Sequence, residues 1–363
     1  MSNGIERLPS GRYRARLYHQ SRYVTSRTFE RRRDALEWKR RQELMLAAGT
    51  WVHPRDASMP FEEWAERWSE TKGGKPTSRA TRETMLRVHV LPAFGRMPLC
   101  LISPTDVEVW VRSLEESRSL ATAAQAFGPL RQSLQLAVRE GLIGRDPTVG
   151  VKLRKPRPNE PVPLSHDQVW SLAENAACDA DRVMFLTFSY SGCRWGEISN
   201  LRRRNVLDRR LRLTHAFSEP AGKLVEGDLK NHARRTVPLP DRVHEELLRW
   251  ANTKKHDDLL FHTSNGTPYR NGNWRRSVLI PALKRAHLPE TITPHNFRDT
   301  AASLAIEAGA SVVAVARMLG HEDAATTLRH YASLFPDTFD GITERMNSEI
   351  ERVHTMGTAG ASK

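Results

Sequence analysis

Residues 293–331 read T-P-H-N-F-R-D-T-A-A-S-L-A-I-E-A-G-A-S-V-V-A-V-A-R-M-L-G-H-E-D-A-A-T-T-L-R-H-Y, and four polar side chains stand out: His295, Arg298, His321 and Tyr331. Thr293 has the chemistry of an N-cap, and Pro294 suits the first helical position, where its missing N–H is not needed. His295 and Arg298 follow at i and i+3, on one face of the first turns. The free N–H groups and the positive dipole end of such a helix start favour a phosphate. Ala301–Ile306 continues the helix, and Gly309 stops it. Ser311 begins a second helix with Val312, Val315, Ala316 and Leu319 inward, and Gly320 ends it. His321 is thereby held at a helix terminus, and a third short helix from Ala324 carries Tyr331. Packing of the apolar faces brings the four polar groups together. Cationic and titratable donors beside one phenol suit attack on a phosphodiester, because the donors neutralise oxygen charge and the phenol oxygen serves as nucleophile.

The 363 residues imply two or three domains, and a 39% hydrophobic fraction supports ordinary cores. No apolar run has membrane-spanning length and the N-terminus lacks a signal-peptide core, so a cytoplasmic protein is expected. Cys100, Cys178 and Cys193 are scattered without metal-ligand spacing, so neither a bound metal nor a disulfide framework is expected. Lys and Arg number 56 against 42 Asp and Glu, for a net charge of +14. That balance favours a polyanionic partner, most simply nucleic acid.

Residues 1–46 hold 12 Lys and Arg against 5 Asp and Glu, so half of the net charge sits in about an eighth of the chain. Gly11–Tyr18 alternates with the period of a strand, Tyr23–Phe29 reads as another, and 31–47 looks helical with Ala35, Trp38, Leu44 and Leu46 as apolar contacts. A small sheet with a packed helix follows, over residues 1–50. Arg12, Arg14, Arg16 and Arg27 are its candidate DNA contacts; the alternative is a solvated strand face. Residues 50–60 read as a linker.

A helical block covers 60–147. Phe61, Trp64, Ala65 and Trp68 share a face; Thr81–Val90 forms a helix stopped near Pro92; Thr105–Leu114 and Ala121–Glu140 form two more. Arg79 and Arg82 are candidate phosphate contacts. Residues 148–164, rich in Pro, Lys and Arg, form an extended interdomain linker. From Ser165, an N-cap with Gln168 in a capping box, a further domain runs to 340. Val183–Tyr190 is a strongly apolar helix; Gly192 then allows a tight turn, and Arg194 begins a helix with Glu197 one turn on. Leu211–His215 and Arg235–Leu239 alternate as strands, with Lys223 and Lys230 between them. Residues 241–252 and 272–287 are helical, Trp274 is core, and Asn265-Gly266-Thr267 is a turn. After a break at Pro336, Ile342, Met346, Ile350 and Val353 recur at helical spacing, so 341–363 is a short amphipathic helix with a tail.

H-N-F-R at 295–298, L-G-H at 319–321 and the downstream Tyr331 resemble the C-terminal half of a tyrosine recombinase of the phage integrase type. S-G-C-R-W-G-E at 191–197 resembles that family's first-arginine motif, and Lys230, ahead of R-T-V-P-L, its β-hairpin lysine. The likeness covers about 60 to 335. The 1–50 module looks like an arm-type DNA-binding domain and 60–147 like the helical core-binding domain. The resemblance implies an α+β, mainly helical protein with a mixed α/β catalytic domain. It implies a site-specific recombinase that integrates or excises phage or mobile-element DNA. Tyr331 would attack a DNA phosphorus, form a 3′-phosphotyrosine and free a 5′-hydroxyl. Arg194, Arg298 and His321 would hold the non-bridging oxygens, Lys230 would protonate the leaving oxygen, and His295 would assist proton transfer at the tyrosine. It implies no metal and no other cofactor. The partners it implies are double-stranded attachment sites, a homotetramer on DNA, and accessory bending or directionality factors in the cytoplasm of a bacterial host. The C-terminal helix would dock on a neighbouring protomer or on its own domain. Asp299 departs from the family, standing where many relatives have His. So does the spacing of His321 and Tyr331, longer by one residue, which turns the tyrosine by about 100° on an ideal helix. A type IB topoisomerase-like enzyme and a non-catalytic DNA-binding protein on the same fold are the competing readings; the presence of all six catalytic types argues against the second.

Overall fold

Alternation in the N-terminal strands builds a sheet with one greasy face. The computed structural model describes residues 4–48, 51–53, 56, 58–155, 162–229, 234–334, 343, 346–348 and 350–352. It falls into two compact units, Met1–Pro158 and Asn159–Lys363. In the first, β1 (Ile5–Arg7), β2 (Tyr13–His19) and β3 (Arg22–Phe29) form an antiparallel sheet in that order. Ala15 and Leu17 are buried, and α1 (Arg32–Ala47) packs on β2. Leu44, expected inside, is 63% exposed. It stands nine residues from the buried Ala35, which puts it on the opposite side of the helix.

Helices then make a separate core. They are α2 (Phe61–Thr71), α3 (Pro76–Met85), α4 (Leu91–Phe94), α5 (Pro104–Ser117) and α6 (Leu120–Arg139). Phe61, Trp64, Ala65 and Trp68 are all buried, as their spacing predicts. Trp64 and Trp110 each donate an indole N–H to a backbone carbonyl, of Ser133 and His89 respectively, so neither polar tip is stranded. The helix expected to stop near Pro92 does not stop. A π turn, Leu86–Val90, joins α3 to α4, with the Leu91 N–H reaching back to Leu86, and Pro92 falls in the first turn of α4, where no N–H is required. The expected linker begins late: Val151 and Leu153 pack on this core, and Arg154 holds Glu115 of α5 at 2.6 Å.

In the second unit, Ser165 and Gln168 close the predicted capping box on α7 (His166–Glu174). Next come α8 (Asp179–Ser191) and α9 (Trp195–Ile198). β4 (Val206–Leu207), β5 (Arg210–Leu213) and β8 (Arg235–Pro238) make one small antiparallel sheet, while β6 (His215–Ser218) and β7 (Val225–Asp228) make a hairpin. α10 (Asp241–Ala251) follows; α11 (Asn271–Trp274) and α12 (Ile280–Arg285) are joined by a π turn. The chain closes with α13 (Pro294–Glu307), α14 (Val312–Leu319) and α15 (Ala324–Tyr331). The packing of α8 on α13 positions the site. Phe188 of α8 lies flat on Phe297 of α13, 4.8 Å between centroids and 3° between planes, and Phe185 and Trp274 complete the cluster. Each such ring contributes about 1.5–3 kcal/mol by its burial. Gly266 is a turn at φ +73°, as expected. Residues 343, 346–348 and 350–352 are helical, with Met346 and Ile350 exposed. Pro336, Ile342, Val353 and the tail lie outside the described residues.

Candidate active site

Gly192 ends α8 with φ +65°, a conformation that favours glycine, and the turn delivers Arg194 to the N-cap of α9. Gly196 is needed for a different reason: a Cβ there would lie 2.2 Å from the Phe217 carbonyl oxygen of β6. Glu197, almost fully buried, ties the start of α9 together. It accepts the Arg194 backbone N–H at 2.8 Å and the Arg194 guanidinium at 3.1 Å. Arg235 of β8 approaches it in the bidentate manner, at 3.0 and 2.7 Å, and also donates to the Met318 carbonyl. Burial pushes the Glu197 carboxyl up, but the Arg235 hydrogen bonds and charge, with Arg194 behind them, prevail and hold it below its ordinary value.

Arg298 is buried on α13 and, among the described residues, holds no carboxylate. Its guanidinium donates to the carbonyls of Gly192 and Leu319, both at 2.6 Å, and Arg194 reaches the adjacent Gly320 carbonyl at 3.4 Å. Two like charges therefore meet over one short run of backbone. Burial, and then the neighbouring Arg194, lower the Arg298 pKa to about 10. Crowded cations of this kind form an anion site, since an incoming phosphate relieves their repulsion. Arg194 keeps about a third of its side chain open to solvent.

Gly320 ends α14 at φ +67°, and His321 follows as the sequence predicts. Its Nδ1 lies 2.7 Å from the hydroxyl of the buried Thr327. Burial, then Arg298 and Arg194, push the imidazole down from 6.5 to about 4. His321 is thus neutral at neutral pH, and among the described residues its ring bonds through Nδ1 to Thr327. Between pH 6.5 and 4 the unfolded chain binds a proton that the folded chain refuses, so stability is lost as pH falls through that window. His321→Gln is expected to lose less melting temperature than the wild type between pH 7 and pH 4.5, roughly the interval over which the imidazole charges in the unfolded chain. Equal losses would contradict this.

Tyr331 closes α15 with its hydroxyl turned inward, 2.8 Å from Oδ1 of Asp299, the residue after Arg298. Burial, then the Asp299 charge and hydrogen bond, raise the phenol pKa well above its ordinary value, and Arg298 pulls the other way. The longer spacing from His321 does not carry Tyr331 away from α13. His295 is exposed and meets the cluster through Asp299, 3.9 Å away. Arg194, Arg298, His321 and Tyr331 are therefore brought together, His295 stands at their edge, and Lys230 lies outside the described residues. Lys223 is exposed beyond β6. Cys193, beside Arg194, is no rival nucleophile: it is buried, and burial and then Glu197 push its thiol up to about 12. Among the described residues no group of side chains is arranged to hold a metal ion, and no helix is long and apolar enough to cross a membrane.

Three contributors escaped the sequence reading. Arg235 looked like an ordinary strand residue, and nothing in the sequence singled out Thr327. Asp299 was noted only as a departure from a pattern. The DNA-contact candidates divide. Arg14 and Arg16 alternate with the buried Ala15 and Leu17, so they share the sheet's outer face, where Arg16 pairs with Glu6 at 2.7 Å. Arg12 is exposed just before β2. Arg27 pairs across the sheet with Ala15, hence faces the other way, stacked 5.6 Å over Phe29. Arg79 is exposed, whereas Arg82 lies over Trp68 and donates to the Lys72 carbonyl, so its guanidinium is occupied within its own domain.

Known proteins resemble this chain in sequence and in fold. The model of the phage integrase family matches residues 163–337, and that of the phage integrase central domain matches 61–153. The tyrosine recombinase XerD of Staphylococcus aureus strain Mu50 is 30% identical over 59% of this chain and 72% of its own. The integrase of Mycobacterium phage D29 is 22% identical over 83% of each chain. Among solved structures, the Tn1549 transposon integrase in complex with a circular intermediate DNA superposes with a TM-score of 0.66 at 20% identity, covering 80% of this chain and all of that one. A lambda integrase tetramer bound to a Holliday junction gives 0.60 at 16% identity, over 89% and 97%. The chain belongs to the phage integrase family of tyrosine recombinases, enzymes that break and rejoin DNA strands.

Proposed function

We infer that this chain integrates or excises phage or mobile-element DNA, and that Tyr331 carries the severed strand. One observation supports this above the rest: two guanidinium groups meet at the carbonyls of 192 and 319–320, His321 follows directly after Gly320, and the Tyr331 hydroxyl bonds to the residue next to Arg298. Arg194 and Arg298 grip the non-bridging oxygens of the scissile phosphate, because a guanidinium stays charged and donates in parallel. His321 adds a third donor. Tyr331 attacks phosphorus, a 3′-phosphotyrosine forms, and the 5′-oxygen leaves with a proton from Lys230. The ester keeps a phosphodiester's energy, so another 5′-hydroxyl can reverse the step. Residues 1–50 bind arm-type sites through Arg12, Arg14 and Arg16, and 60–147 clasp the core site. The lambda integrase tetramer supports a homotetramer as the working assembly, on double-stranded DNA in the cytoplasm of a bacterial host. The test is a nicked duplex carrying the attachment site that flanks the gene, in buffer with chelator. Protein should become linked to the 3′-phosphate and leave a 5′ end that kinase labels directly. A 5′-linked protein, or hydrolysis without linkage, would overturn the assignment.

A further inference from the structure

A phenol must shed a proton to become a good nucleophile, and Tyr331 is placed in surroundings that oppose it. Its hydroxyl is out of water, in a small apolar cluster with Ala302, Ile306, Val315 and Leu319. Burial and the adjacent carboxylate both raise its pKa, so a free phenolate is the wrong species to expect. The hydroxyl nevertheless has one directed partner among the described residues. It donates to Asp299 Oδ1 at 2.8 Å, and Asp299 is buried on the same turn of α13 as Arg298. On the solvent side, His295 Nε2 lies 3.9 Å from the same oxygen, one helical turn earlier. A line of groups therefore runs from the phenol, through the carboxylate, to an exposed imidazole.

We propose that Asp299 is a catalytic residue that accepts the Tyr331 proton as the phenolic oxygen attacks phosphorus. The inference rests on the assignment of Tyr331 as nucleophile and adds the destination of its proton. In the forward step the Tyr331 O–H bond breaks and its proton passes to Asp299 Oδ1. The phenolic oxygen forms the new bond to phosphorus, and the bond from phosphorus to the 5′-oxygen breaks. The leaving oxygen takes its proton from a different group. On resealing, the 5′-hydroxyl attacks and gives its proton back to the group that had supplied it, while Asp299 returns its own proton to the departing phenol. No other reactant is needed. Proton transfer concerted with attack avoids the buried phenolate that the carboxylate would destabilise. Asp299 also orients the nucleophile: with the hydroxyl tethered to α13, the attacking oxygen is carried by the helix that carries Arg298.

The test uses the full chain and two duplexes of the attachment site. One has a normal scissile phosphate; the other has a 5′-bridging sulfur, which leaves without needing a proton. Asp299→Asn should slow single-turnover cleavage by about a hundredfold or more while duplex affinity holds, and the sulfur should not restore the rate, because the missing step is at the nucleophile. A rate within about threefold of wild type would overturn the proposal, and so would rescue by sulfur. A faster variant would overturn it too, by showing that the contact restrains the tyrosine. If Asp299→Asn folds poorly, Asp299→Glu and Asp299→Gln decide instead. They match in size and differ in accepting a proton, so Glu should exceed Gln by about tenfold or more, and equal rates would refute the role. A wild-type chain that forms no Tyr331 adduct removes the nucleophile assignment itself, and that result appears before any variant is compared.

Discussion

Arg298→Ala is expected to slow strand cleavage by about a hundred- to a thousandfold, the loss that follows when one preorganised donor to a developing oxyanion is removed. The catalytic unit should also lose stability. The guanidinium bridges the Gly192 and Leu319 carbonyls, and so ties the end of α8 to the end of α14. Two buried acceptors lose their partner, at about 1–3 kcal/mol each. Arg298→Lys separates the two effects. It restores the charge but not the planar fork, so cleavage should stay depressed while melting recovers in part. Single-turnover cleavage on a nicked duplex, with calorimetry of the same samples, measures both. Cleavage by Arg298→Ala within about tenfold of wild type would remove Arg298 from the phosphate site.

Glu197→Ala should give a large stability loss. The carboxylate is almost fully buried and serves Arg235, itself mostly buried, together with the backbone and side chain of Arg194. Removing one partner of a buried pair leaves an uncompensated charge, which costs about 3–5 kcal/mol. For a unit of this size that lowers Tm by on the order of 10 °C. Cleavage should fall as well, because α9 loses the contact that fixes Arg194. Carboxyl protonation works in the same direction. The folded pKa of Glu197 lies below its ordinary value, so the stability it contributes is present at neutral pH and is lost as pH drops through the folded pKa. Glu197→Ala should therefore melt lower than wild type at pH 7, with the gap narrowing in acid. A gap that persists unchanged in acid would mean that the loss comes from packing.

The sequence disclosed those parts of the site that carry local signals. Thr293 and Pro294, Ser165 and Gln168, and Gly320 before His321 all mark helix ends, and each end stands where its residues put it. The apolar faces of α2 and α5 were legible for the same reason. Long-range pairing was not. Nothing near Arg235 announces a carboxylate 38 residues earlier in the chain, and nothing near Asp299 announces a hydroxyl 32 residues later. Leu44 and Pro92 were misread because local pattern lacks a partner surface. A leucine on a helix is inward only if a neighbour lies on that side, and a proline ends a helix only if no widened turn absorbs it. The charge of the first 46 residues was plain, but its division between the two sheet faces depended on the register that pairs Ala15 with Arg27.

A phenolic oxygen, not a thiol, a serine or threonine hydroxyl or water, is expected to take the severed strand. Protease digestion of the trapped complex, followed by mass spectrometry, tests it most directly. The nucleotide-bearing peptide should contain Tyr331, with the added mass on its side chain, and Tyr331→Phe should bind the duplex as well as wild type yet give no such peptide. A nucleotide found on any other residue, or an adduct that survives in Tyr331→Phe, would contradict the account.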